Sequence, residues 1–326
     1  MKICMIGAGS LGSTIGGTLA ENGHEVTFVD SWQGQIDAIR ERGLHMVKSL
    51  EGDPGRFVPV RAQTDYHGLE AQDLCIVLVK SFATREAVRE ARDSHVIGPD
   101  TTVMTIQNGL GNEEAIMEEI GESHVISGKT FCSGFLIKPG KVMATTEGRV
   151  TYIGEMDGRV TERIQTIGAE LNRGGLQTVV SENIRGMIWD KLLVNVATGA
   201  LCGATGLPYG GLYEKYGWNA LPEMKTTALA AVQEAIDVAK AYGVRLTSED
   251  PSYAWEHAAE GQPESFKASI LQSIERGGAT EIDFINGAVS AWGKKADIPT
   301  PVNDTLAAII RGIEYRMQRE RLSENK

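Results

Sequence analysis

Three stretches of this 326-residue chain carry residue types whose spacing could do chemistry. "GAGSLG" sets Gly7, Gly9 and Gly12 in GxGxxG spacing, directly after an apolar run and directly before a helical pattern, "STIGGTLAENG". In that context the first glycine permits a tight turn, the second lets the backbone approach a pyrophosphate, and the third allows close helix–strand packing. Ser10 and Leu11 complete the loop, where the free N–H groups and positive dipole end of the helix meet an anion. Asp30 closes the run "EVTFVD" eighteen residues past Gly12. A carboxylate there accepts both ribose hydroxyls of NAD and repels the 2′-phosphate of NADP. The plain alternative is a solvated aspartate at a strand end. A flavin or another adenosine cofactor shares the fingerprint, but nothing later reads as a flavin domain, so a nicotinamide cofactor leads and NADH is favoured over NADPH.

The third stretch is "MIWDKLLVNVATGALCG", residues 187–203, in which Lys191 and Asn195 lie four apart on one face of an apolar helix. Lysines on such helices often snorkel to solvent. Asn195 could be a helix-surface amide, yet it sits between Val194 and Val196 in an apolar stretch, and a buried amide requires partners. The pattern then breaks at Thr198 and Gly199.

The first half of the chain alternates strand runs with helical stretches. Lys2–Ile6, Glu25–Val29, Leu74–Val79 and Thr102–Ile106 are the strand candidates, and their order indicates parallel βαβ units. Residues 124–154 read as consecutive strands, expected as an antiparallel or mixed extension of the same sheet. A helix from about Val160 to Asn172 and a strand, Gln177–Val180, complete this half. Residues 184–203, 221–243, 264–276, 281–294 and 302–321 then read as helices. The fold class is therefore α/β: an N-terminal doubly wound Rossmann-type sheet, residues 1–180, followed by an all-helical domain, residues 181–326. The polar tail "SENK" is expected to fray.

Composition narrows the function classes. Forty-three acidic residues against 32 basic ones give a formal charge of −11 with no block of like charges, which argues against nucleic acid and anionic membranes as partners. Four cysteines lie far apart with no histidine at ligand spacing, so no metal is expected and a reducing compartment is. No run approaches the ~20 apolar residues of a spanning helix, and the expected location is the cytoplasm. The apolar C-terminal helices could bury a homodimer interface or simply an internal core.

Read in order, "GAGSLG", "LVKS" with Lys80, "QNGLG" with Asn108, "IWDKLLVN" with Lys191 and Asn195, and "TEIDFING" with Glu281 resemble the ketopantoate reductase family over essentially the whole chain. The resemblance implies a Rossmann domain, a helical domain and an active site in the cleft between them. It implies that Lys191 is the general acid that protonates the carbonyl oxygen and Glu281 the carboxylate that assists it. Asn108, Asn195 and Ser269 would contact a small 2-oxo or 2-hydroxy acid, and Lys80 and Asn108 would lie on the cofactor side. Chemistry agrees, because hydride reduction of a 2-oxo acid generates an alkoxide that needs a proton or cation at the oxygen. Desolvation lowers a lysine from ~10.4 toward neutrality, and a neighbouring carboxylate opposes this, so Glu281 would orient the acid and keep it charged.

Each role has a plainer counterpart. Glu281 suits a first helical turn with Thr280 as a cap, Asn108 sits in a turn signal, Ser269 could be a tolerated helix serine, and Asp190 is expected in a surface pair. Two features depart from the family pattern. Gly199 stands where the family pattern places a second substrate-binding amide, and Asp30 stands near the position where better-known members of the family use a basic residue to accept NADPH. The expected function is thus a ketopantoate-reductase-like oxidoreductase using NADH on a small 2-oxo or 2-hydroxy acid, with 2-dehydropantoate 2-reductase itself as the close alternative. A dinucleotide-sensing module without catalysis would not need both Lys191 and Glu281.

Overall fold

The computed structural model describes residues 1–218 and 220–324. They form two compact units, each taken separately below: residues 1–107 with 112–184, and residues 108–111 with 185 onward.

The first unit begins with β1 (Lys2–Ile6), α1 (Ser10–Glu21), β2 (Glu25–Val29), α2 (Gln33–Arg42), β3 (Leu44–Val47), β4 (Arg56–Val58), β5 (Arg61–Gln63) and β6 (Leu74–Val77). It continues through α3 (Thr84–Asp93), β7 (Thr102–Thr105), α4 (Asn112–Ile120), β8 (Val125–Thr130), β9 (Ser133–Lys138), β10 (Lys141–Thr145), β11 (Thr151–Glu155), α5 (Glu162–Arg173) and β12 (Thr178–Val180). Eight strands make one sheet in the order β12-β11-β8-β7-β6-β1-β2-β5, parallel throughout except for the β8–β11 pair. Alternation along the central strands sends Ile3, Met5, Leu74, Ile76 and Met104 into one buried layer and Cys4, Ile6, Cys75, Val77 and Val103 into the other. Burial on both faces is why these runs are apolar without a polar face.

The run 124–154 does not all extend this sheet, contrary to the expectation from sequence. β8 and β11 do so, whereas β9 and β10 join β3 and β4 in a separate four-stranded sheet, order β4-β3-β10-β9. Side-chain burial separates the two cases: β8 is buried at nearly every position, while β9 alternates between exposed and half-buried residues. The turn between β9 and β10 is held from α2, because the Gly140 N–H donates to the Gln35 side-chain oxygen at 2.8 Å.

The second unit is helical: α6 (Ile184–Thr205), α7 (Tyr209–Leu212), α8 (Pro222–Ala241), α9 (Pro251–Ala258), α10 (Ser269–Glu275), α11 (Asn286–Lys295) and α12 (Pro301–Glu324). α6 begins in the last residue of the first unit, so the unit boundary falls between Ile184 and Arg185 rather than at Ser181. The expected helix at 264–276 contracts to α10. That at 281–294 splits into a 3-10 turn, Ile282–Phe284, and α11, because Ile285 leaves helical geometry at φ −112°, ψ −99°. Small residues Ala228, Ala231, Ala235 and Ala239 on the buried face of α8 let its neighbours approach closely.

A buried polar chain fixes the register of three of these helices. The Glu234 carboxylate on α8 accepts the Val302 and Asn303 N–H groups at 2.9 and 3.0 Å, capping α12. The Asn303 side chain donates to Glu234 at 2.7 Å, and Asn286, first residue of α11, donates to Asn303 at 3.0 Å. Of the tail expected to fray, Ser323 and Glu324 end α12, and residues 325–326 lie outside the described residues. No helix among the described residues is long and apolar enough to cross a membrane.

Candidate active site

The glycine loop of the first unit has the geometry its spacing implies. Gly7 has φ +112°, and a Cβ there would lie 2.8 Å from the backbone of Leu78 and Val79 at the end of β6. A Cβ on Gly12 would lie 2.1 Å from the Gly7 carbonyl oxygen, so only glycine lets α1 start this close to the loop. Gly9 is different: at φ −67°, ψ −167° a side chain is conformationally allowed, and its Cβ would meet no protein atom within 4 Å. Gly9 caps α1 with no side-chain hydrogen bond, and the helix's first internal bond runs from the Ser13 N–H to the Gly9 carbonyl. The result is an open cradle facing uncapped N–H groups and the positive end of a twelve-residue helix, the arrangement that suits a pyrophosphate.

Of the other two loop residues, Ser10 and Leu11, the side chains turn inward. The Ser10 hydroxyl accepts the Leu136 N–H of β9 at 3.2 Å, and Leu11 packs against the first unit's core. Asp30 follows β2, and its carboxylate accepts the Ala8 N–H at 2.7 Å and the Trp32 N–H at 2.9 Å. Each carboxylate oxygen has a second lone pair, which leaves acceptor capacity for a diol. The buried Gln35 was given no role from the sequence. Its amide donates to the Ala8 carbonyl at 2.8 Å and to the Ser13 hydroxyl at 3.2 Å, so it braces the loop from beneath.

Lys80 is exposed at the carboxyl end of β6, and its carbonyl accepts the Ala83 N–H of a 3-10 turn, Ser81–Ala83. Gln107 holds this segment: its amide donates to the Val79 carbonyl at 2.7 Å and the Thr84 hydroxyl at 2.8 Å. It stood inside the "QNGLG" motif without a role, and the motif itself was the signal that could have found it.

The residues assigned to substrate all fall in the second unit. Asn108 belongs there although Gln107 does not. Gly109, at φ +87°, would place a Cβ 2.3 Å from the Phe284 carbonyl oxygen, and the Leu110 N–H donates to that same oxygen at 2.8 Å. Glu281 lies three residues before Phe284 and its carbonyl accepts the Phe284 N–H at 3.0 Å. The two motifs, "QNGLG" and "TEIDFING", are therefore brought together at one 3-10 turn. Glu281 rather than Thr280 is the N-cap of that turn; the Thr280 hydroxyl, one residue earlier, accepts the Ile282 N–H at 3.2 Å, and its own N–H donates to Glu314 at 2.6 Å.

Lys191 and Asn195 are half-buried one turn apart on α6. Their neighbour Asp190 accepts the N–H and hydroxyl of Thr247 at 3.0 and 2.6 Å. Ser269 is the first residue of α10 rather than an interior helix serine, and it is exposed. Its neighbour Ile270 packs on α6, 3.3 Å from where a Gly199 Cβ would stand.

One buried titratable group was not anticipated. Glu113, in the first turn of α4, is 5% exposed and accepts the Ser127 hydroxyl of β8 at 2.5 Å. Burial, with the charge of Glu114 beside it, pushes its carboxyl up to about 7, against the pull of the Ser127 bond. Desolvation here outweighs the helix dipole, which favours a first-turn carboxylate by only about 0.3–1 kcal/mol.

Comparison with known proteins agrees along the whole chain. Residues 3–158 match the family described as ketopantoate reductase PanE/ApbA, and residues 183–314 match its C-terminal counterpart, ketopantoate reductase PanE/ApbA C terminal. A 2-dehydropantoate 2-reductase of Pyrococcus horikoshii is 34% identical over 96% of this chain and 98% of its own. One from Halobacterium salinarum is 32% identical over 95% and 98%. The crystal structure of a PanE/ApbA family ketopantoate reductase from Ralstonia eutropha JMP134 superposes with a TM-score of 0.85 at 29% identity, covering 98% of this chain and all of that one (100%).

Proposed function

The chain belongs to the ketopantoate reductase family, and from that premise we propose that it transfers hydride between NADH and a small 2-oxo acid, with Lys191 as general acid. At the coarser level it is an NAD(P)-dependent oxidoreductase acting on a CH–OH group. The observation that carries the cofactor assignment is the open cradle at Gly9 beside the Asp30 carboxylate. Gly7, Gly9 and Gly12 line the pyrophosphate, the N–H groups of Ser10 and Leu11 bind it, and Lys80 adds a cation. Asp30 accepts the ribose hydroxyls and repels a 2′-phosphate, which sets the preference for NADH.

When bound, the dihydronicotinamide supplies the hydride. Lys191 then delivers a proton from Nζ to the oxygen of the reacting carbonyl, so no free alkoxide forms. Glu281 keeps the ammonium charged and oriented. Asn195, Asn108 and Ser269 hold the substrate's carboxylate and carbonyl by N–H and O–H donation.

A narrower reading, 2-dehydropantoate 2-reductase in pantothenate synthesis, is supported by the names of the Pyrococcus and Halobacterium relatives. Initial rates with NADH and with NADPH against 2-dehydropantoate and a panel of 2-oxo acids test the proposal. Oxidation of NADH by at least one acid, with kcat/KM above that of NADPH, is expected. Absence of turnover with every acid would defeat it.

A further inference from the structure

The second unit holds a cavity of about 480 Å³ to which the proposed reaction assigns no part. Small-molecule sites have volumes of roughly 300–1,000 Å³. One wall is the turn after α10, at Gly278 and Ala279, and the other is the distal half of α12. There Arg311, Glu314, Gln318 and Arg321 recur at three- and four-residue spacing, so they form one stripe along the helix. The buried apolar residues of α12, Leu306, Ala307 and Ile310, all come before this stripe. The helix therefore packs with its first half and lines the cavity with polar groups in its second.

That lining is basic in an acidic chain. Residues 311–321 contain four arginines and two glutamates, against a formal charge of −11 for the whole protein. Arg311 is paired, since the Asp283 carboxylate accepts its Nε–H at 2.7 Å. Arg321 forms no ion pair with any described residue, and its guanidinium lies over the turn, 3.2 Å from where a Gly277 Cβ would stand. Gly277 has φ +66°, so glycine there both makes the turn and leaves room for that side chain. Beside these donors the Tyr315 ring is 65% exposed, and Met317 adds apolar surface.

Glu314 ties the cavity to the proposed catalytic carboxylate. It lines the cavity and accepts the Thr280 N–H at 2.6 Å, and Thr280 directly precedes Glu281. The turn opposite lies in the segment that joins Ser269 to Glu281.

We propose that this cavity is an effector site for a small organic anion, a carboxylate or phosphate monoester on a flat apolar body, whose occupancy slows turnover through Glu314, Thr280 and Glu281. The Arg321 guanidinium offers the anion its paired N–H donors, the Gln318 amide donates a further hydrogen bond, and Tyr315 and Met317 cover the apolar body. An anion held there stands beside the Glu314 carboxylate and repels it. The Thr280 N–H then loses its acceptor, and the segment that carries Glu281 is released. The effect on turnover rests on the reading that Glu281 assists Lys191, whereas binding does not.

The test uses benzoate and phenyl phosphate as probes and benzyl alcohol as an uncharged control, on the full chain saturated with NADH. Calorimetry is expected to show one-site binding of at least one anion with a Kd at or below about 1 mM, and none of the alcohol. The tighter of the two anions tells a carboxylate effector from a phosphate one. Arg321→Ala is expected to weaken that binding at least about tenfold while kcat and the KM for the 2-oxo acid stay at the parent's values. In the parent the bound anion is expected to lower kcat about fivefold or more with KM unchanged, and in Arg321→Ala to leave it unaltered. Binding of neither anion, or equal binding in Arg321→Ala, overturns the inference and leaves the proposed function standing. An anion that only raises KM competes with the substrate and overturns it as well, and binding with no change in kcat overturns the link to Glu281. A protein inert toward every 2-oxo acid defeats the proposed function, and calorimetry on Arg321→Ala then still decides whether the cavity binds the anion.

Discussion

The carboxylate of Asp30 accepts the backbone N–H of Ala8 at 2.7 Å, so the group assigned to the cofactor's ribose also holds the glycine loop in shape. Its other oxygen accepts the Trp32 N–H at 2.9 Å, which ties the end of β2 to the start of α2. The proposed cofactor preference and the observed loop geometry thus fall on one side chain, and a substitution has to separate them.

Asp30→Asn keeps an acceptor for Ala8 and removes the charge. Its melting temperature is predicted to stay within a few degrees of the parent, while the ratio of kcat/KM for NADH over NADPH falls at least about tenfold. Asp30→Ala should lose stability as well, because the buried Ala8 N–H loses its partner at about 1–3 kcal/mol. An unchanged cofactor ratio in Asp30→Asn would remove Asp30 from the ribose site.

Gly9→Ala separates ligand from fold in another way. Its Cβ meets no protein atom within 4 Å, so the melting temperature should not change. NADH affinity, measured by calorimetry, should weaken at least about tenfold, since the methyl occupies the space a pyrophosphate approaches. Equal NADH affinity in the variant would mean the cradle is not where the dinucleotide lies.

Glu113 gives the first unit a pH dependence of definite sign. Its folded pKa of about 7 lies above the ordinary glutamate value of 4.5. Below the lower value the carboxyl is neutral in both states and nothing is lost. Between the two the unfolded chain ionises first, so stability falls as pH rises, and above about 7 the full penalty, on the order of 3 kcal/mol, applies. Glu113→Gln retains an acceptor for Ser127 and is predicted to melt several degrees above the parent at pH 8 but close to it at pH 5. A variant destabilised equally at both pH values would contradict the shift.

The sequence disclosed those parts whose signal is local. GxGxxG spacing located the cradle because the turn, the approach and the packing each require glycine at a fixed offset, and Asp30 followed from the length of one βαβ unit. Five of the seven helices described after residue 184 were legible from apolar periodicity; α7 and α9, of four and eight residues, were too short for it, and Ile285 interrupted the stretch read as one helix over 281–294. What stayed hidden is what depends on distant partners. β3, β4 and β5, of four, three and three residues, are too short for a pattern, and the second sheet exists because β10 pairs with β3 almost a hundred residues earlier. Asn108 reads as a turn residue, and its membership of the second unit is set by Gly109 and Leu110 meeting the Phe284 carbonyl. The Thr198–Tyr209 and Glu113–Ser127 pairs were invisible for the same reason.

The central claim is that Lys191 delivers the proton, and Lys191→Ala tests it most directly through two numbers from one preparation. Steady-state kcat for NADH oxidation with the best 2-oxo acid is predicted to fall at least about a hundredfold, while the Kd for NADH changes by less than about threefold. A variant that retains kcat within about tenfold of the parent, with NADH bound normally, would contradict the assignment of Lys191 as the general acid.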